Sequence, residues 1–446
     1  MRPTLLIALA ALLLSAAVHA QQPARPNVVL IITDDLGYGD LGSYGATDIR
    51  TPHLDKLARE GARLTQFYAN APTCTPTRAG LITGRWQQRV ELEQPLGMVR
   101  PADYDRGLVA TGRTFPQLMK NAGYATALVG KWHLGWKPEF SPTRHGFDYF
   151  FGLKSGFHDF YTHTTPDTPL PGGHDLFEND SAVHVPGYTT DLITERSIRF
   201  IERNAGRPFF IDVSYNAPHW PYQVPDEPSV ARDSARHLRP WDDSTSTRAD
   251  YAAMVERMDL GVGRIIETLD RLGLRENTIV IFTNDNGGEW LSRNAPLFHH
   301  KFSVWEGGIR VPMIVRWPGH VRAGTVSHQV GITMDLTRSI LAAARAQVPA
   351  DLRLDGVDIL AILAGRSPET ERTLYWRTLN PPRRQGAIRS GDWKLVMDAG
   401  NPMLFNLKDD AGERVNLVSR ESAVARRLFA LYRAWEDEVT AEAKKR

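Results

Sequence analysis

Cysteine is almost absent, with Cys74 the only one in 446 residues. An internal disulfide is therefore excluded, stability must come from a packed core, and the lone thiol is incidental, intermolecular or chemically used. Long apolar runs are also missing after the first twenty residues. There Arg2 is followed by the apolar stretch Leu5 to Leu14 and by Val18-His19-Ala20, the pattern of a signal peptide over residues 1–20 cleaved after Ala20. That run is too short to span a bilayer comfortably, so the expectation is an exported chain, periplasmic or secreted, without a stable membrane anchor. Retention of the segment as an N-terminal anchor is the alternative. An excess of either charge is lacking too, at 53 Lys and Arg against 51 Asp and Glu. No basic run is interleaved with aromatics, which excludes a nucleic-acid partner.

Four segments share one grammar. Asn27 to Thr33 is a continuous β-branched, apolar run suited to a strand buried on both faces, and Asp34-Asp35 follows at once. Thr278 to Thr283 runs into Asn284-Asp285-Asn286-Gly287-Gly288, Ala125 to Val129 into Gly130-Lys131-Trp132-His133, and Pro208 to Ser214 into Asn216-Ala217-Pro218-His219. Helices with readable ends lie between them. Thr51-Pro52 opens one that Gly61 closes, Thr114 with Gln117 reads as a capping box ahead of Gly123, and Tyr251 to Leu272 carries apolar residues on one face. Alternating strands and helices give the fold class: α/β, with a mostly parallel central sheet flanked by helices. In such sheets ligands collect at the carboxyl ends of the strands, so the polar residues after the four runs are expected to converge.

The texture changes near Ala350. Short runs at Thr373 to Trp376, Gly386 to Arg389, Trp393 to Met397 and Leu404 to Leu407, then a helix over Ala423 to Trp435, read as a smaller domain on an antiparallel sheet. The expected division is 26–350 for a catalytic domain and 351–446 for a C-terminal subdomain. Two Pro- and Gly-rich stretches, Thr164 to Gly187 and Trp220 to Asp243, read as long loops.

Asp34, Asp35, Asp285 and Asn286 offer three carboxylates and an amide, with no thiolate or imidazole among them. That set suits a hard cation, calcium or magnesium, over zinc. Taken singly the two pairs would serve as turn residues after strands. Two acidic pairs at one sheet edge are costly without a counter-cation. Cys74 adds a nucleophile candidate: Pro76 is placed to start a helix through Leu81, and Arg78 lies one turn in, so residue 74 falls at an anion-attracting helix N-terminus.

Cys74-Thr75-Pro76-Thr77-Arg78, followed by Leu81-Ile82-Thr83-Gly84-Arg85, closely resembles the type I sulfatase signature, in which the cysteine is oxidised to formylglycine. The resemblance extends to Asp34-Asp35, Gly130-Lys131-Trp132-His133-Leu134-Gly135, Ala217-Pro218-His219, Asp285-Asn286-Gly287, Lys301 before Glu306-Gly307-Gly308-Ile309-Arg310-Val311-Pro312, and the end segments Arg389 to Leu395 and Leu404 to Leu407. It implies an alkaline-phosphatase-like core and an arylsulfatase or N-acetylgalactosamine sulfatase-like enzyme acting on a sulfated carbohydrate or an aryl sulfate. It also implies one calcium ion per chain on Asp34, Asp35, Asp285 and Asn286, with modified residue 74 touching the metal, and a maturation enzyme that installs the formylglycine. By the same resemblance Arg78 and Lys131 hold the hydrated aldehyde and Lys301 a sulfate oxygen. His219 serves the leaving-group side, and His133 takes the proton that lets the sulfated intermediate collapse. His158, His163, His299 and His300 are read as surface or pocket-mouth residues. Thr77 stands where serine is commonest, and Phe298-His299-His300 replaces the usual glycine-containing stretch.

Three rival readings remain. A formylglycine-dependent phosphonate or phosphate diester hydrolase shares the nucleophile. An inactive relative would bind sulfated glycans without turnover, and a thiol hydrolase would use Cys74 with His133. A two-zinc phosphomonoesterase is disfavoured because Asn286, not histidine, follows Asp285. Substrate position, endo or exo action and oligomeric state are not encoded in these motifs.

Overall fold

The computed structural model describes residues 25–97, 101–166, 168, 171–226, 245–379 and 384–443. The expected signal peptide and most of the Trp220 to Asp243 stretch lie outside them. In chain order the elements are β1 (Asn27–Thr33), α1 (Pro52–Glu60), β2 (Ala62–Tyr68), α2 (Cys74–Thr83), α3 (Phe115–Asn121), β3 (Ala125–Gly130), β4 (Tyr149–Gly152), β5 (Phe177–Glu178), β6 (Ser181–Ala182), α4 (Thr189–Arg203), β7 (Phe209–Ser214) and α5 (Arg248–Arg271). They continue with β8 (Thr278–Asn284), α6 (Glu306–Ile309), β9 (Arg310–Arg316), β10 (Thr325–Ser327), β11 (Gly331–Ile332), α7 (Thr333–Ala343), α8 (Ile359–Leu363), β12 (Thr373–Thr378), β13 (Gln385–Ser390), β14 (Trp393–Asp398), β15 (Asn401–Asn406) and α9 (Ser422–Ala443).

The large sheet runs β10-β2-β9-β8-β1-β7-β3-β4-β5-β6, with β11 beside β2. Its centre is parallel: β1 pairs with β7 and β8, and β3 with β7 and β4. Strand β9 is antiparallel to both β8 and β2, an inversion the run pattern did not reveal. Side chains of β1 alternate between two cores. Val28, Leu30 and Ile32 join α2, α3 and α7 on one face, while Val29 and Ile31 join α1, α4 and α5 on the other. Both faces are therefore sealed, as the uninterrupted apolar run requires.

Local signals held unevenly. Helix α1 opens on Pro52, but the Thr51 hydroxyl accepts from Gly42 N at 2.9 Å instead of capping its own helix. Thr114 likewise makes no capping box, because its hydroxyl donates to His145 O at 2.8 Å and Gln117 reaches Asn121. A capping box does form where none was expected, between Thr247 and Asp250 at the start of α5. Within the stretch read as a loop from Thr164 to Gly187, β5 and β6 extend the sheet edge as a small hairpin.

Strands β12 to β15 form a four-stranded antiparallel meander. With α9 it shares one core with the main sheet, since Trp376, Ile388, Leu395, Leu428 and Trp435 pack with Trp86, Val304, Ile332 and Met334. Trp376 Nε1 also donates to Ala69 O at 2.8 Å, bracing the segment that leads into α2.

Candidate active site

The parallel centre of the sheet brings four carboxyl ends to one edge. Asp34 follows β1, Lys131 follows β3, Asn216 and His219 follow β7, and Asp285 follows β8. Gly130, at φ +124°, ends β3 so close to β7 that a Cβ would lie 1.8 Å from Ser214 O. Only glycine fits there, and Lys131 enters the site directly behind it.

Helix α2 delivers residue 74. Cys74 is its first residue, and every side chain from Cys74 to Ile82 is buried. The Thr77 hydroxyl bonds both Ala71 N and Ala71 O at 3.0 Å, so the hydroxyl expected from serine is used and the extra methyl is accommodated. Thr75 Oγ1 donates to His133 O at 3.0 Å and accepts from Leu96 N at 3.1 Å, tying α2 to the loop after β3.

Three cation and carboxylate pairs surround this helix end. Lys131 Nζ lies 2.5 Å from Asp34 Oδ2, Lys301 Nζ 2.6 Å from Asp35 Oδ2, and Arg78 Nη2 3.0 Å from Asp285 Oδ2. Arg78 Nη1 donates to Lys131 O and to Ser214 Oγ as well. Burial opposes ionisation in every case, yet Asp34 and Asp285 keep Lys131 and Arg78 charged, and Asp35 with Glu289 does the same for Lys301. Asp35 is buried, which would raise it, but Lys301, His219 and Lys131 hold it below the usual carboxylate range. Burial, then the Asp34 charge, pushes Asp285 up to about 7.

The remaining oxygens test whether a cation fits. Asp34 Oδ1, Asp285 Oδ1 and Asn286 Oδ1 are buried without a hydrogen-bond partner, and Asn286 Nδ2 is turned to Asp35 Oδ1 at 2.7 Å. Single ligand atoms of Asp34, Cys74 and Asp285 all lie within 4.8 Å of one another, as do those of Asp34, Asp35 and His219. Unpartnered buried acceptors are costly, and hard oxygen donors suit calcium. The residues fit that group.

The histidines differ in what their rings can do. His133 Nε2 lies 2.7 Å from Leu96 O, so it carries the hydrogen and Nδ1, which is buried and unpartnered, keeps its lone pair. His219 Nδ1 faces Trp220 O at 2.5 Å, leaving Nε2 to accept from Lys301 Nζ at 3.2 Å. Burial, then neighbouring lysines, holds both imidazoles neutral: His133 lies well below its ordinary value and His219 near 3. His158 and His163 are not surface residues. Both are buried, bonded to Asp175 O with Thr189 Oγ1 and to Gly187 O respectively.

Cys74 itself is a poor thiolate. Burial pushes its thiol up to about 11, and nearby Lys131 and Lys301 only partly offset that. An unmodified thiol would therefore stay protonated near neutrality, which weighs against the thiol hydrolase reading.

Residues 26–346 match the family model described as Sulfatase, and residues 295–431 match one described as N-sulphoglucosamine sulphohydrolase, C-terminal. The chain belongs to the sulfatase family. It is a sulfuric ester hydrolase by that membership, on an alkaline-phosphatase-like fold. N-acetylgalactosamine-6-sulfatase of Sus scrofa is 36% identical over 374 residues, covering 79% of this chain and 69% of the relative. Arylsulfatase A of Bos taurus is 34% identical over 463 residues, covering 93% and 87%. The crystal structure of Ps i-CgsB superposes with a TM-score of 0.83 at 30% identity, covering 92% of each chain, and its complex with k-i-k-neocarrahexaose with 0.82.

Two residues of this sulfatase's site escaped sequence reasoning. Ser214, the last residue of β7, holds Arg78 and donates to Lys131 O at 2.8 Å. Glu289 is buried with Oε2 3.5 Å from Lys301 Nζ. Its position four residues after Asp285 was the available signal, but nothing in the sequence shows that the Gly287-Gly288 turn points it inward.

Proposed function

We propose that the chain hydrolyses sulfate esters with residue 74 carried as formylglycine, beside one calcium ion, and that its substrate is a sulfated carbohydrate or, second, an aryl sulfate. The observation that carries this reading is the meeting of residue 74 with the carboxylates of Asp34 and Asp285 at a site where Asp34 Oδ1, Asp285 Oδ1 and Asn286 Oδ1 are buried without partners. The relatives named for N-acetylgalactosamine-6-sulfatase and the Ps i-CgsB complex with k-i-k-neocarrahexaose support the carbohydrate choice. Export to the periplasm or beyond, and a maturation enzyme, belong to the same proposal. Because Cys74 is buried, that enzyme needs access before α2 packs.

Asp34, Asp35, Asp285 and Asn286 would hold calcium, with residue 74 in contact, and the ion supplies charge neutralisation of the sulfate group when bound. Formylglycine, as its hydrate, supplies an oxygen nucleophile for sulfur. Arg78 and Lys131 flank residue 74 and orient it. His133 Nδ1, with its free lone pair, takes the proton of the second hydroxyl. On the leaving-group side the shared proton rests on Lys301 Nζ, which donates to His219 Nε2, so Lys301, held in place by His219, is the proton source for the departing oxygen.

Comparing turnover of 4-nitrophenyl sulfate with bis(4-nitrophenyl) phosphate tests the reading. Preference for the sulfate is expected, whereas preference for the diester would replace it with a diester hydrolase.

Metal linkage gives a second expectation. Asp285 lies above its ordinary value when the cation is absent, so from this group the metal-free fold loses stability as pH rises to about 7. Calcium needs the ionised form, so binding should tighten with pH up to that value. Calorimetry in buffers of different ionisation enthalpy should show up to about one proton released per calcium near pH 6 and almost none near pH 8. A chelator should abolish turnover and lower the melting temperature, and calcium should restore both. Activity that survives chelation with no change in melting would count against the metal site.

A further inference from the structure

The three aspartates of the site pair one to one with Lys131, Lys301 and Arg78, and Glu289 is a fourth carboxylate beside them. It is only 7% exposed. Its turn is rigidly tied to Lys301: Lys301 N donates to Gly288 O at 3.1 Å, and Asn294 bonds both Gly288 N and Gly288 O at 3.0 Å. Ser292 N closes the turn on Glu289 O at 2.9 Å. Lys301 Nζ thus sits between Asp35 Oδ2 at 2.6 Å and Glu289 Oε2 at 3.5 Å. Asp34, Asp285 and Asn286 each keep a buried oxygen without a partner and Glu289 does not, so Glu289 stands outside the set that fits a cation.

We propose that Glu289 sets the charge preference of this site, making it select monoanionic esters over dianionic phosphate monoesters. The inference rests on the sulfate-ester reading. Burial pushes Glu289 up to about 7. At about pH 8 the carboxylates of Asp34, Asp35, Asp285 and Glu289, with Lys131, Lys301, Arg78 and one divalent cation, therefore leave a single net positive charge, which one monoanionic sulfate ester balances. Asp212, which acts on Arg78, is the same with and without Glu289. Without Glu289 the excess would be two, the complement of a phosphate monoester dianion. Buried charges a few ångströms apart are weakly screened, so one unit of charge at this place changes relative affinity for ligands of unlike charge. Glu289 is a specificity-determining residue acting through Lys301 and the field of the cluster.

The test compares the calcium-loaded enzyme with its Glu289→Gln and Glu289→Asp variants on 4-nitrophenyl sulfate, bis(4-nitrophenyl) phosphate and 4-nitrophenyl phosphate, at about pH 8, where the last is dianionic. Glu289→Gln should raise kcat/KM for the phosphate monoester relative to the sulfate by about tenfold or more, and leave the ratio of the two monoanions within about twofold. Glu289→Asp, which keeps the charge, should keep the wild-type ratios. A Glu289→Gln shift that is absent, equal for all three esters, or matched by Glu289→Asp overturns the proposal. Calorimetric binding of the sulfate and the phosphate monoester to Cys74→Ala, with and without Glu289→Gln, reads the same preference without turnover and remains informative if Glu289→Gln is inactive. Wild-type enzyme that turns over none of these esters and no sulfated carbohydrate would sink the sulfate-ester reading, and the binding comparison would still decide the role of Glu289.

Discussion

Cys74→Ala is expected to lower sulfate-ester turnover by about 10⁴-fold or more while leaving the fold intact, because loss of a covalent nucleophile typically costs that much or more. The side chain removed is small and already within reach of Asp34 and Asp285, so little packing goes with it. Far-ultraviolet circular dichroism and the melting temperature should be close to wild type, and calcium should still bind through the remaining oxygens. Cys74→Ser keeps an oxygen but has no second hydroxyl whose deprotonation could expel the sulfate, so it should give no more than one product molecule per site. Steady turnover by either variant would show that the reaction does not depend on residue 74.

Lys394→Met should produce the largest loss of stability. Lys394 is fully buried on β14, with Nζ 2.9 Å from Glu306 Oε1 and 2.8 Å from Glu413 Oε1. Tyr68 OH donates to Glu306 Oε2 at 2.7 Å, Arg310 Nη1 lies 3.2 Å from the same oxygen, and Glu306 N donates to Glu413 Oε2 at 2.6 Å. Removing one member of a buried charge network leaves the others uncompensated and costs about 3–5 kcal/mol. Burial would raise Glu306, and Lys394 with Arg310 and Arg389 instead holds it down to about 2. Its stabilising contribution is therefore present above the ordinary glutamate value and fades as pH falls toward 2. Burial pushes Glu413 up to about 7, so Glu413→Gln added to Lys394→Met should recover part of the loss. The denaturant midpoint measures both, and a Lys394→Met midpoint equal to wild type would contradict the role given to this network. Activity should fall with it, because Glu306 opens α6, whose Gly307 N bonds Phe298 O in the segment leading to Lys301.

The site was legible where chemistry follows directly after a buried run. Asn27 to Thr33 and Thr278 to Asn284 are parallel neighbours in the structure, so Asp34 and Asp285 had to meet. The C-terminal meander was legible for a similar reason: each short run ends in a turn, and β12 to β15 are joined in sequence order. Other features depended on partners that local pattern does not reveal. Strand β9 is as apolar as a parallel strand, and only its place between β8 and β2 reverses it. Thr114 has the spacing of a cap, but a carbonyl from His145 competes successfully for its hydroxyl. His158 and His163 look like surface residues until Asp175, Thr189 and Gly187 supply buried partners. Glu289 required the turn after β8 to be folded before its carboxylate could be assigned to Lys301.

The mechanism turns on the identity of residue 74 in the native protein, which trypsin releases in one peptide, Leu64 to Arg78. Conversion of cysteine to formylglycine makes that peptide about 18 Da lighter, with an aldehyde that reacts with hydrazides. Mass spectrometry of the active, exported protein should find the lighter, hydrazide-reactive form. A peptide carrying only unmodified, alkylatable cysteine in a preparation with full activity would contradict the proposed nucleophile.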